Sequence, residues 1–139
     1  MQRFALLLLG SGLSMSLAAS EPRPIANPDR FCEDAKELKS ITAQLPGYVL
    51  SWEAESPVVV LPPLKVDVRE LLRAARGQPV CIAVVISETG VALDAAVYFP
   101  KRLAFSRAER KQVLANAFEP AKQAGVPTKS ITVMKAWLK

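Results

Sequence analysis

Histidine is absent from the chain. That removes the commonest general base near neutral pH and the commonest nitrogen ligand for zinc. Cysteine occurs twice, at Cys32 and Cys81, too few to complete a tetrahedral metal site without other donors. Glycine is scarce, and its six residues are scattered with no Gly-rich phosphate loop among them. Aromatic residues make up 6% of the chain, and the basic residues of its last third are not interleaved with a row of them. A stacking platform for single-stranded nucleic acid is therefore missing. Acids do stand in pairs, Glu33-Asp34 and Glu53 with Glu55. A carboxylate dyad works only when the fold brings two acids together in a cleft, and adjacent acids at a helix start are usually dipole partners instead. No catalytic residue, metal, cofactor or nucleic-acid partner is expected, and no internal repeat or low-complexity tract is present.

What is there suits one compact domain: 139 residues, half of them hydrophobic and 22% charged. Residues 1–20 read as an export signal. Arg3 gives a short positive start, Phe4 to Leu9 is an apolar run, and Leu17-Ala18-Ala19-Ser20 offers small residues for cleavage. An uncleaved anchor is the alternative, but Gly10 and Gly12 interrupt a run shorter than the roughly 20 residues of a spanning helix. No stable membrane insertion is expected once the signal is cut, so a periplasmic or secreted location follows. Oligomeric state is not readable.

Charge is uneven. Residues 21–100 carry a net −3 and residues 101–139 a net +7. The basic end can attract an acidic partner or an anionic surface, or simply be a solvated face. Two cysteines in an exported chain read as a disulfide, Cys32 to Cys81, against the alternative of two buried thiols. Such a bridge would close a loop of about 50 residues, worth roughly 4 kcal/mol on the chain-entropy estimate.

Along residues 21–66 the spacing predicts one helix and an extended connector. Asn27-Pro28 suits a helix start, Phe31, Ala35, Leu38, Ile41 and Leu45 make an apolar stripe, and Pro46-Gly47 ends it. Tyr48, Leu50 and Trp52 alternate as in a half-buried strand, with Trp52 a packing residue. Val58-Val59-Val60-Leu61, between prolines, suits an edge strand or extended connector.

Residues 67–139 are the most legible. Val68, Leu71, Leu72 and Ala75 share a helix face that stops at Gly77. Val80, Ile82, Val84 and Ile86 alternate with Cys81, Ala83, Val85 and Ser87, a tight turn follows at Glu88-Thr89-Gly90, and Val91 to Phe99 returns as the second arm of a hairpin. Ser106 and Glu109 have capping-box spacing for a helix over 106–118, with i,i+4 pairs Val113–Ala117 and Leu114–Phe118. Pro120 requires a stop before it, Gly125-Val126-Pro127 is a turn, and 131–138 is a final strand. The fold class expected is α+β: a small three-stranded antiparallel sheet in ββαβ order, with an added N-terminal helix.

This order, with Phe118-Glu119-Pro120-Ala121 followed by Gly125-Val126-Pro127, resembles the C-terminal domain of the TonB energy-transducer family. The resemblance runs from about Val68 to the end, roughly half the chain. Asn116 stands where the family often has an aromatic. The family's transducers also carry a membrane anchor and a long Pro-rich spacer, which are not read here. What the resemblance implies is the fold and a periplasmic setting rather than energy transduction itself. It also implies recognition of an extended segment of an envelope protein or outer-membrane receptor by strand addition, in association with TonB-type transport. The receiving edge would be the last strand: Ser130, Ile131, Thr132, Val133, Met134, Lys135, Ala136, Trp137 and Leu138. Main-chain hydrogen bonds would supply affinity and alternate side chains selectivity. Lys129, Lys135 and Lys139 lie along that strand, either as partner contacts or as charges that suppress uncontrolled pairing. The mechanism requires this edge to be open. The alternative reading is a structural accessory subunit of an envelope complex.

Overall fold

A computed structural model of the protein describes residues 4–9 and 30–138. The expected helix cap at Asn27-Pro28 and the cleavage stretch at 17–20 lie outside the described residues. The fold is α+β. Its main sheet has the order β1-β9-β4-β5, from strands Phe4–Leu9 (β1), Ser130–Leu138 (β9), Val80–Ile86 (β4) and Ala92–Phe99 (β5). A two-residue strand, Val49–Leu50 (β2), joins it beside β9. The sheet thus has more members than the three strands expected, and β2 makes it mixed, because β2 runs parallel to β9 while the other pairs are antiparallel.

The period-2 pattern of β4 is realised on two covered faces. Val80, Ile82, Val84 and Ile86 join one core with Met134 and Ala136 of β9, roofed by helices Arg69–Ala75 (α2) and Arg107–Leu114 (α3). Cys81 and Ala83 join a second core with Ile131, Val133, Tyr98 and Leu38, under helix Glu37–Ala43 (α1). Because both faces are covered, every residue of β4 is buried. Within residues 30–138 both cores draw on side chains from Cys32 onward.

The Cys32–Cys81 disulfide is present and clamps the N-terminal arm to β4. It also explains why α1 begins only at Glu37. The Cys32 carbonyl accepts the Tyr98 hydroxyl at 2.6 Å, so residues 30–36 form turns against β5 rather than regular helix. Phe31, placed on the helix stripe by its spacing, instead meets Phe99 edge-to-face at 5.0 Å and stays 40% exposed.

Two further elements are shorter than their patterns suggest. The strand expected at Tyr48 to Trp52 yields after Leu50 to a 3-10 turn, Ser51–Glu53, where the buried Ser51 hydroxyl accepts the Val58 N–H at 2.9 Å. Trp52 packs half-buried against the second core. Helix α3 has its full capping box, Ser106 with Glu109, but ends at Leu114. The pairs Val113–Ala117 and Leu114–Phe118 do not form, because Ala117 bridges Val91 and Phe118–Glu119 (β6) pairs with Val59–Val60 (β3). Pro120 already holds Glu119 extended, and the strand buries Phe118 in the first core. Asn116 seals the helix end by accepting the Lys65 N–H and donating to the Lys65 carbonyl. Lys122–Gln123 (β7) and Val126–Pro127 (β8) form a small hairpin turning at Ala124 and Gly125.

Candidate partner-binding edge along the last strand

Strand β9 pairs with β4 over seven consecutive residues, from Ser130 opposite Ile86 to Ala136 opposite Val80, with no break in register. Its side chains alternate between the cores. Met134 and Ala136 face the α2/α3 side, while Ile131 and Val133 face the disulfide side. Residues 130–134 and Ala136 are fully buried.

The outer side of β9 is divided. At its beginning, β2 lies parallel, with Val49 opposite Ser130 and Leu50 opposite Ile131, and the Val49 N–H donates to the Lys129 carbonyl. From Val133 to Leu138 the outer side carries β1, antiparallel, from Leu9 opposite Val133 to Phe4 opposite Leu138. The open edge expected from the sequence is therefore not open in the whole chain. Its first two residues are closed by β2, and 133–138 are closed by residues of the expected export signal. Local pattern does not reveal this, because β2 is two residues long and β1 reads as a signal.

The opposite edge of the sheet is β5, and it is irregular. Its register with β4 shifts between Cys81 and Ile82 and again between Val85 and Ile86, so Tyr98 and Leu93 are extra residues. Such bulges spoil an edge for further pairing. Its beginning is bridged at Val91 by Ala117, and Asp94 is tied to Arg110 of α3.

Of the lysines expected along this edge, Lys135 does not project from it. Lys129 lies over the Tyr48 ring at 5.1 Å, and Lys135 is only 8% exposed with its ammonium 5.3 Å from the centre of the Trp137 ring. Lys135 is thus a packed cation rather than a projecting gatekeeper, while Lys129 is exposed beside its ring. Lys139 lies outside the described residues. The Ser130 and Thr132 hydroxyls are buried without a hydrogen-bond partner among the described residues. Nothing in the sequence signalled that pair.

A surface cleft of about 520 Å³ opens between the starts of α2 and α3, lined by Asp67, Arg69, Glu70, Arg73, Glu109 and Gln112 among others. Its acids are each engaged. Asp67 takes a two-pronged ion pair from Arg69, which holds its carboxyl below the usual carboxylate range. Glu70 pairs with Arg73, and Glu109 serves the capping box. No two acids there converge as a free pair. Elsewhere, burial pushes the Tyr98 phenol well up, aided by the charges of Glu33 and Glu37.

Together these features define an α+β domain whose last strand is doubly buried and regular along its length, with a disulfide-clamped helical arm over one face. No helix of the described residues is long and apolar enough to cross a membrane. The disulfide is consistent with an oxidising compartment outside the cytoplasm. No family model, curated protein or solved structure matches the chain.

Proposed function

We propose that the chain, after loss of residues 1–20, is a periplasmic protein-binding module rather than an enzyme. It takes an extended segment of an envelope protein onto the outer edge of β9. The observation that carries this reading is the seating of Phe4–Leu9 on residues 133–138, which makes this stretch of β9 receptive to an added strand. When that strand leaves with the signal, the backbone groups it used are left to water or to another chain. The regular register of β9, set against the bulged β5, favours the same edge. The resemblance to the TonB C-terminal domain extends the reading to a receptor segment of a TonB-type transport system.

The test is a titration of isotope-labelled protein, residues 21–139, with a capped peptide of the sequence FALLLL carrying lysines at both ends. Amide shifts concentrated at 132–138 are expected. Shifts concentrated on α1 instead would defeat the reading. A second reading, a structural accessory subunit, draws on the closure of Ser130 and Ile131 by β2 and on the clamped helical arm. In that case a chain that keeps residues 1–20 has no free β9 edge at all.

A further inference from the structure

The β9 edge also carries information about the strand it takes, and this inference rests on the reading just given. We propose that the partner segment runs antiparallel to β9, spans about six residues opposite 133–138, and is uncharged at the positions facing Met134 and Ala136.

Orientation and length follow from what already occupies the edge. β2 closes Ser130 and Ile131, so a guest can begin no earlier than Thr132. The stretch from there to Leu138 is just over 20 Å at the rise of an extended chain. The strand seated there in the whole chain fills it antiparallel, in a continuous six-residue register.

The chemical preference follows from the parity of that register. Directly opposed residues of an antiparallel pair project from the same face. Guest residues opposite Met134 and Ala136 therefore lie on the α2/α3 face, beside side chains that are 0% exposed and belong to the larger core. A charge there loses its water without gaining a partner. The guest residue opposite Lys135 lies on the other face, next to a cation packed on Trp137. The partner class is thus an exported segment with two uncharged, apolar residues spaced i,i+2.

Residues 21–139 include the disulfide and the core residues from Cys32 onward, so the processed chain serves for the test. Three lysine-flanked peptides are titrated into it: FALLLL itself, a version with glutamate at the position opposite Ala136, and one with methionine at that same position. The glutamate is expected to weaken binding at least ~30-fold, and the uncharged methionine to leave it within about fivefold. Equal losses would overturn the preference for an uncharged residue. A nitroxide at the amino end of the parent peptide is expected to broaden the amides of Ala136 and Trp137. A nitroxide at its carboxyl end is expected to broaden those of Thr132 and Leu50. The reversed pattern would overturn the antiparallel orientation while strand addition stood. No shift at 132–138 with any peptide would defeat strand addition itself, and this inference with it.

Discussion

Replacing both Cys32 and Cys81 by alanine is the perturbation whose size can be worked out most fully. The bridge spans 49 positions of sequence, and closing a loop of that length in the unfolded chain is worth about 4 kcal/mol at 25 °C. Both residues are completely buried, and alanine fits the space of each without a new polar group. The Tyr98–Cys32 hydrogen bond and the Phe31–Phe99 contact hold the same arm, but each is worth only about 1 kcal/mol. They retain part of the arm's order without replacing the cross-link. With a typical urea m-value of ~1.5 kcal/mol/M, the midpoint of unfolding should fall by 2–3 M, roughly. The loss should also be uneven in space. Amides of residues 30–45 should lose hydrogen-exchange protection well before those of β4 and β9, because the bridge ties the start of the arm directly to β4. Urea unfolding followed by circular dichroism and hydrogen exchange on both forms gives the two readouts. A midpoint change under 0.5 M, roughly, at unchanged m-value would refute the unfolded-state argument. Uniform loss of protection would refute the role of the bridge as a local clamp.

Three further outcomes are expected. Tyr98 is buried and its folded pKa stands well above the ordinary 10.0, so its contribution to stability is intact below pH 10 and falls as pH rises above it. The slope from this one group is about 1.4 kcal/mol per pH unit, and Tyr98→Phe should remove it from the alkaline limb of a stability–pH profile. An unchanged alkaline limb would count against the burial argument. Gly90→Ala should cost more than ~2 kcal/mol, since its Cβ would stand 2.1 Å from the Phe118 carbonyl oxygen at φ +86. Gly47→Ala, at φ +87 with nothing within 4 Å, should cost only about 1 kcal/mol, and equal losses in thermal melts would contradict the close approach. Thr132→Val removes a fully buried hydroxyl without a partner among the described residues and should raise stability by ~1 kcal/mol. A loss of more than that would reveal a bond to the hydroxyl.

Features encoded within a few neighbouring residues were legible from the amino-acid order. Alternation in β4 named both of its faces, because successive side chains of a strand must point opposite ways. Ser106 and Glu109 marked the start of α3 because they satisfy each other's backbone N–H groups locally. Gly77 marked the stop of α2 through its own backbone freedom, and the pair of cysteines pointed to the bridge. Features that depend on distant partners were not legible from that order. Residues 115–118 carry helical spacing, yet Phe118 is held extended by β3 from nearly sixty positions away. Residues 30–36 fit a helix until Tyr98 and Cys81 fix Cys32 in place. The fate of the β9 edge is the clearest case. Its own residues read as a strand in any context, but whether its outer side is free depends on Val49, Leu50 and Phe4–Leu9. Backbone hydrogen bonding carries no side-chain signature, so the pattern of β9 cannot tell which chain completes it.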